Sequence, residues 1–190
     1  DGRDLEAALV AVLPKLQGAF SLVIMDEAHL VGVRDPNGFR PLCLGKLDPH
    51  GWVLASETPA LDVVGAHFVR EVEPGEMIVV DASGVRALHP FPAERLDPRL
   101  CLFEFVYFAR PDSVLYGKEV HGVRHRMGEL LAEQAPVDAD LVIGVPESGI
   151  AAAEGFARAS GVPYGHGLIK NRYIGRTFIA PDQRLRDAGV

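Results

Sequence analysis

Residues 140–157, DLVIGVPESGIAAAEGFA, join an apolar run to a helical pattern of small residues through a short turn. The run at 140–145 predicts a buried strand, and the pattern after the turn predicts a helix that ends at Gly161. Such a strand–turn–helix points free backbone N–H groups and a helix N-terminus at the carboxyl edge of a parallel sheet, where anions bind. The stretch therefore predicts an α/β fold with an anion site at residues 146–149.

The turn carries three residues suited to such a site. Gly149 allows a ligand to approach the backbone closely, Ser148 offers a hydroxyl, and Glu147 offers a carboxylate that could orient a hydroxyl or a hydrated metal. An ordinary strand-to-helix turn capped by Ser148 would show the same residues. On this stretch alone, both interpretations are open.

Downstream, residues 170–186 are basic within an otherwise acidic chain and show neither a strand nor a helix period, which predicts a loop. A basic loop near an anion-binding turn suits a polyanionic substrate, because arginine binds phosphate oxygens through a planar fork. A solvated surface run is the alternative. The basic residues are Lys170, Arg172, Arg176, Arg184 and Arg186, against the single acid Asp182.

Upstream, the pattern at 101–108 predicts a further strand, and the pattern at 118–135 predicts a helix. His121 and His125 are spaced by four residues on that helix, which would suit a metal, but the sequence offers no third ligand. They are therefore interpreted as surface residues. Prolines and charges without apolar periodicity at 89–99 predict a linker before this α/β part.

The first half has a different pattern, with one helix over residues 4–16 followed by short β segments separated by turns. This pattern predicts an antiparallel, β-rich domain over residues 1–92, followed by an α/β domain over residues 93–190. The predicted elements are strands at 18–26, 30–35, 41–47 and 51–57, a short helix at 58–65, and a meander over 67–90.

Polar residues of the first half are given structural roles. Arg34 and Arg40 flank the Asp-Pro-Asn-Gly turn and are interpreted as clamps for that turn or for a carboxylate. Thr58 is the predicted N-cap of the short helix. Glu57 and Asp62 are interpreted as capping or solvated groups rather than catalytic carboxylates.

Charge and composition exclude several classes of function. The net charge of −7 argues against general nucleic-acid binding, because phosphate backbones need a basic face. No apolar run approaches the ~18 residues that span a bilayer, and the start shows no signal-peptide pattern, so the predicted location is cytoplasmic. Cys43 and Cys101 lie outside any CxxC pair and are interpreted as buried thiols. The chain opens without Met inside a helical pattern and is expected to be an internal piece of a longer one.

Six strings in a fixed order, from about residue 15 to the end, resemble the amidophosphoribosyltransferase family. CLFEFVYFARPDS and KNRYIGRTFI within LIKNRYIGRTFIAPDQRLR are long and specific to that family. The others are GAFSLVIMDEAHLVGVRDPNGFRPLCLG, ASETPALD, EVEPGEMIVVD and GVPESGIAAA.

The resemblance implies the later part of an N-terminal-nucleophile glutaminase domain at 1–92 and the first part of a type I phosphoribosyltransferase domain at 93–190. Such enzymes make 5-phosphoribosylamine from phosphoribosyl pyrophosphate and glutamine, the first step of purine synthesis. Ammonia released from glutamine passes through an internal channel to the second site, where it displaces pyrophosphate with the help of Mg²⁺. The family further implies feedback inhibition by purine nucleotides and a homo-oligomer.

The resemblance implies roles for the residues at matching positions. Glu147, Ser148 and Gly149 match the loop that touches the pyrophosphate and Mg²⁺, with Ser148 in the metal shell. The mobile loop that closes over the substrate and couples the two sites is matched by Lys170, Tyr173, Arg176 and Ile179. Closure of such a loop excludes water from the reacting sugar carbon.

Cys101 stands where some family members carry one ligand of a 4Fe–4S cluster, although members without a cluster have it too. A cluster needs four thiolates, so a buried thiol is the open alternative. This sequence also lacks the family's nucleophilic N-terminal cysteine, its upstream glutamine-binding residues and its downstream acidic segment. No catalytic residue is therefore assigned, and the chain by itself is expected to be inactive.

Two other classes of protein remain as alternatives. Another glutaminase-coupled enzyme, such as an asparagine synthetase or a sugar-phosphate transaminase, would share the turn chemistry of the first half. It would not continue into YFARPDS and a phosphoribosyltransferase βα unit. A non-catalytic module that senses nucleotides or phosphoribosyl pyrophosphate would explain the missing catalytic residues.

Overall fold

The computed structural model describes residues 4–49, 51–173, 175, 179 and 181–188. The chain divides into two compact units, residues 1–123 and residues 124–190. The domain boundary expected between residues 92 and 93 stays a prediction.

Two antiparallel sheets form most of the first unit. The strands are β1 (Ser21–Met25), β2 (Leu30–Arg34), β3 (Cys43–Leu47), β4 (Gly51–Ala55), β5 (His67–Glu71), β6 (Met77–Asp81) and β7 (Gly84–Leu88). One sheet has the order β1-β2-β6-β7, and the other has the order β4-β3-β5. The mixed, β-rich architecture agrees with the class expected from the sequence.

Apolar side chains cover both faces of the four-stranded sheet. Helix α1 (Leu5–Val12) confirms the helix expected at 4–16 and packs Leu5 and Leu9 against one face. On that face the buried cluster consists of Leu13, Val31, Val33, Met77, Val79 and Phe91. A second cluster joins residues of both sheets: Leu42, Leu44, Val72 and Ile78. Apolar burial of this kind supplies the main favourable free energy of folding.

The expected meander over 67–90 is wrong in one respect. β6 and β7 do form a hairpin, but β5 pairs with β3 in the other sheet, with Cys43 opposite Glu71. The chain crosses between the sheets after β5, where the Val72 N–H donates to Leu42 O at 2.9 Å and the Gly75 N–H donates to Asp35 O at 3.0 Å. Alternation of apolar residues predicts strands, but it does not say which strand is the neighbour.

Arg34 holds the turn after β2, as the clamp interpretation expected. Its side chain is 1% exposed. The guanidinium donates to Arg40 O at 2.9 Å, Gly38 O at 2.9 Å and Val72 O at 2.8 Å, and also to the Tyr116 hydroxyl at 2.8 Å. One side chain therefore donates to three backbone carbonyls, of which Arg40 O also accepts the Ser21 hydroxyl at 3.1 Å.

Residues 101–108 were expected to form a strand, and this expectation is wrong. They are helical and include a π-helical stretch, Glu104–Phe108, in which the Ala109 N–H donates to Glu104 O at 3.0 Å. Glu104 and Phe105 are both buried, whereas successive residues of a strand point to opposite faces. The aromatic composition that favours strands is overridden here by tertiary contacts.

Arg40 anchors this helical segment through Glu104. Its Nη1 lies 2.7 Å from Glu104 Oε1, an ion pair without hydrogen-bond geometry, and its guanidinium stacks 4.7 Å from the Phe108 ring. Burial raises the pKa of Glu104, and the nearby Arg40 guanidinium opposes that shift. Arg40 thus clamps a carboxylate, one of its two expected roles.

The segment expected to be a linker, 89–99, lies inside the first unit and is packed against its other residues. Phe91 is 5% exposed, and the Arg95 guanidinium donates to Leu16 O at 2.9 Å and to Pro14 O. A short hairpin of β8 (Val114–Leu115) and β9 (Lys118–Glu119) follows the π-helical stretch. Prolines and charges at 89–99 therefore mark irregular but anchored backbone.

The second unit contains a βα crossover. Its elements are most of α3 (Val120–Gln134), then β10 (Val142–Ile143), α4 (Ile150–Ser160), β11 (Tyr164–Gly165) and α5 (Gln183–Ala188). β10 and β11 are parallel, with Val142 opposite Tyr164. Both expected helices are confirmed, and α4 ends at Gly161 with a φ of 77°.

Two expectations for this unit need correction. The strand expected at 140–145 is shorter and is not buried, with Leu141 54% exposed and Val145 65% exposed, because β11 is its one neighbour among the described residues. The loop expected at 170–186 gives way to α5 at Gln183. None of the helices in the described ranges is long and apolar enough to cross a membrane.

Helices α3 and α4 meet backbone to backbone. A Cβ on Gly128 would lie 1.8 Å from Ala152 O, and a Cβ on Gly155 would lie 1.9 Å from His125 O. Real Cβ atoms do not approach oxygen so closely. The two glycines therefore set the distance between these helices.

Candidate functional site

The predicted anion-binding turn lies between β10 and α4. The Gly149 N–H donates to Val145 O at 3.0 Å, and the Pro146–Glu147 peptide is cis. A Cβ on Gly149 would lie 2.8 Å from Val145 O, and one on Gly144 would lie 2.8 Å from the Ile150 Cα. Only glycine fits either position without a shift of backbone, and the need for Gly144 was missed from the sequence.

The alternative that Ser148 caps the helix finds no support. The N-cap of α4 is Gly149, and no side-chain hydrogen bond caps this end. The first N–H groups of a helix have no partners within the helix, so this end can receive an anion. Ser148, half-buried next to the cap, offers its hydroxyl at the same end of α4.

The structure brings one residue of the basic segment to this turn. Lys170 Nζ lies 3.9 Å from Glu147 Oε2, and both side chains are more than half exposed. An exposed pair at this distance contributes little to stability. Both groups are therefore available for a ligand.

Other residues assigned to the mobile loop are not brought together. Tyr173 is fully exposed, its backbone N–H donating to Asn171 Oδ1 at 3.0 Å, and Ile179 is 62% exposed. Arg176 lies outside the described residues. The roles given to Lys170, Tyr173, Arg176 and Ile179 stay predictions.

The donor sets for Mg²⁺ and for a cluster differ in how well they fit. Glu147 and Ser148 supply oxygen atoms, which Mg²⁺ prefers alongside substrate phosphates. Cys101 is half-buried in the first unit, and its carbonyl accepts the Glu104 N–H at 3.0 Å. Across the described ranges, no group of three or more His, Cys, Asp and Glu side chains is arranged to hold a metal. Cys101 could thus be one thiolate of four at most, and both metal assignments stay predictions.

We expect the two thiols to differ sharply in reactivity. Cys43 is 3% exposed, and burial raises its pKa to about 11. At pH 8 only about one Cys43 side chain in a thousand would be a thiolate, the reactive form. Timed alkylation with iodoacetamide, followed by mass spectrometry, should modify Cys101 first and Cys43 only after denaturation. Equal rates in the folded protein would contradict the burial of Cys43.

Glu57 has a role that the sequence did not predict. It is the N-cap residue of α2 (Thr58–Val64), a position expected for Thr58, but no side-chain hydrogen bond caps the helix. Its carboxylate instead accepts the Arg110 N–H at 2.8 Å. No local pattern could reveal this contact, because 53 residues separate the two partners.

Comparison with known proteins gives a consistent result along the chain. Residues 4–63 match the family model described as a glutamine amidotransferase domain. An amidophosphoribosyltransferase of Mycobacterium tuberculosis is 56% identical over 186 residues, covering 98% of this chain and 34% of the relative. A chloroplastic one of Arabidopsis thaliana is 49% identical over 182 residues, covering 96% of this chain and 32% of the relative.

Solved structures agree. A glutamine phosphoribosylpyrophosphate amidotransferase from B. subtilis, complexed with ADP and GMP, superimposes with a TM-score of 0.86 at 46% identity. The match covers all of this chain and 41% of that one. The chain spans about a third of the length of the curated relatives it matches.

Proposed function

We propose, from the similarity of this chain to amidophosphoribosyltransferases, that the protein containing it makes 5-phosphoribosylamine from phosphoribosyl pyrophosphate and glutamine. The observation that carries this proposal is identity of 49–56% to such enzymes along almost the whole chain. The reaction has two halves. Water cleaves the amide of glutamine to give glutamate and ammonia, and ammonia then displaces pyrophosphate from the sugar carbon.

The turn at 146–149 supports a role in the second half-reaction. Pyrophosphate gains charge as it leaves the sugar, and the free N–H groups at the start of α4 favour that charge. Gly149 lets the backbone approach the leaving group, and the Ser148 hydroxyl is a further polar contact beside it. Mg²⁺, held by Ser148 together with the substrate, would neutralise part of the same charge.

The basic segment from Lys170 supports recognition of a polyanion. Lys170 lies at the turn beside Glu147, and Arg172 is exposed further along the same segment. Closure of this segment, with Tyr173 and Ile179 packing over the substrate, would exclude water so that ammonia reaches the sugar carbon. Arg176 would bind phosphate oxygens in the closed state.

We propose further properties of the protein that contains this chain. The B. subtilis relative was solved with ADP and GMP, which favours feedback by purine nucleotides in this protein as well. A homo-oligomer, a cytoplasmic location and a cluster ligated by Cys101 follow from the family resemblance alone. Neither nucleic acid nor a membrane is a proposed partner.

The test is pyrophosphate release by the full-length protein that contains this chain. We expect release that requires phosphoribosyl pyrophosphate and either glutamine or ammonia. Arg176→Ala should lower it about tenfold or more, as expected for the loss of one arginine–phosphate contact. Arg158→Ala, which removes an exposed arginine from α4, is the matched control and should leave the rate unchanged.

Two outcomes would count against the proposal. A folded protein that binds phosphoribosyl pyrophosphate but releases no pyrophosphate with either nitrogen donor would be a sensor rather than an enzyme. Equal rates for Arg176→Ala and Arg158→Ala would remove Arg176 from the substrate site while leaving the reaction in place.

A further inference from the structure

Glu57 ties the region matched by the glutamine amidotransferase model to a segment beyond it. The match ends at residue 63, and Glu57 lies within it. Oε2 of Glu57 accepts the Arg110 N–H at 2.8 Å and also the hydroxyl of Ser113. The neighbouring Thr58 Oγ1 accepts the Val114 N–H at 3.0 Å. Adjacent residues at the start of α2 therefore hold the whole turn at 110–114.

The same turn holds the start of α3. The Val120 N–H donates to Ser113 O at 3.0 Å, and the His121 N–H donates to Pro111 O at 2.9 Å. The first N–H groups of a helix have no acceptors within the helix, so these carbonyls cap α3. A continuous series of hydrogen bonds therefore connects Glu57 to residues 110–114, and residues 110–114 to the N-terminus of α3. All of these residues belong to the first unit.

Glu57 binds the backbone of the turn rather than the charged side chain of Arg110. The Arg110 guanidinium binds Asp112 at 2.8 Å, so Glu57 contacts Arg110 only through the backbone N–H. Ser113 is fully buried, and the Glu57 carboxylate is the acceptor that its hydroxyl uses. A buried donor left without an acceptor is costly. Loss of Glu57 would therefore release the turn from α2.

We propose that Glu57 is a positioning residue that couples glutamine cleavage to the use of ammonia. It does so by fixing the 110–114 turn and the start of α3 relative to the amidotransferase region. This inference rests on the proposed two-step reaction. It assigns no contact between Glu57 and either substrate.

The experiment compares three activities of the full-length protein in Glu57→Ala, Glu57→Gln and Ser113→Ala. These are glutamate release, glutamine-dependent pyrophosphate release and ammonia-dependent pyrophosphate release. In Glu57→Ala we expect pyrophosphate formed per glutamate released to fall about tenfold, the effect of one charge-assisted hydrogen bond. Ammonia-dependent release should stay within about twofold, because α4 and its turn are untouched. Glu57→Gln keeps an acceptor oxygen and should recover part of the ratio.

The matched control is Asp62→Ala, an exposed carboxylate on the same helix. It should leave the ratio unchanged. Amide hydrogen exchange at Val120 and His121 should be faster in Glu57→Ala than in Asp62→Ala, because their acceptors move. If Glu57→Ala does not fold, the Ser113→Ala ratio and exchange decide instead.

Four results overturn the proposal. An unchanged ratio in a folded variant removes the coupling role, and a parallel loss of all three activities reduces Glu57 to a structural residue. Unchanged exchange at Val120 and His121 shows that Glu57 does not hold α3. A wild type that releases no pyrophosphate with either donor refutes the proposed function and the coupling with it, whereas the exchange result still decides whether Glu57 fixes the turn.

Discussion

Gly128→Ala should destabilise the second unit by about 3 kcal/mol or more, at the upper end of the range for overpacked cores. The new Cβ would lie 1.8 Å from Ala152 O and 2.7 Å from the Ala152 carbonyl carbon. Neither atom belongs to a side chain that could rotate away, so the helices must separate. Gly155→Ala should behave in the same way, since its Cβ would meet His125 O at 1.9 Å. Thermal unfolding of the full-length protein, followed by circular dichroism, measures the loss.

Gly122→Ala is the matched control on α3. Its Cβ would meet only Glu119 Oε2, at an ordinary distance of 3.5 Å. Alanine favours a helix over glycine by about 0.5–1 kcal/mol, so this variant should be slightly more stable than wild type. Equal unfolding temperatures for Gly128→Ala and Gly122→Ala would show that α3 and α4 do not pack through their backbones.

Arg34→Met should cost about 3–5 kcal/mol, because it removes one partner of the largely buried Arg34–Glu71 ion pair, whose Nη1–Oε2 distance is 3.8 Å, together with several hydrogen bonds. Methionine keeps the apolar contacts of the chain but leaves Gly38 O and Val72 O without the Arg34 donor, and Arg40 O with the Ser21 hydroxyl alone. Arg34→Lys should be nearly as damaging, because one ammonium cannot reach acceptors arranged around a planar fork. Urea unfolding of the two variants, or their absence from the soluble fraction, measures the effect.

Arg99→Met is the control for Arg34. Its guanidinium binds only Asp97 in the described contacts and is 63% exposed. Exposed pairs of this kind contribute little, so the urea midpoint should not change measurably. A midpoint for Arg34→Met as high as that of Arg99→Met would mean that the turn after β2 does not depend on Arg34.

Local signals in the sequence predicted much of the fold. Gly161 marks the end of α4, and hairpins were expected where β3–β4 and β6–β7 form. These elements depend on turn residues and on periodicity within a few residues, which the sequence displays directly. The turn at 146–149 was predicted for the same reason.

Features that depend on distant residues were not predicted. The segment at 101–108 has the aromatic composition of a strand, but Arg40, more than sixty positions earlier, pairs with Glu104 and the segment is helical. β5 pairs with β3, which lies more than twenty residues earlier in the chain, rather than with the neighbouring β6. The role of Glu57 likewise depends on Arg110 and Ser113. Composition and periodicity describe residues that are close in sequence, so neither predicts contacts between residues so far apart in the chain.

The arrangement of the two sheets has a consequence for the order of folding. The hairpins β1–β2, β3–β4 and β6–β7 each join neighbouring segments, and such hairpins form in about 1–10 microseconds. The β2–β6 pairing, with Val33 opposite Met77, instead closes a long loop that contains the whole three-stranded sheet. The entropy cost of closing this loop arises before the stabilising contacts between β2 and β6 can form. The β2–β6 pairing is therefore expected to form late, and the rate at which it closes should limit how fast the first unit folds.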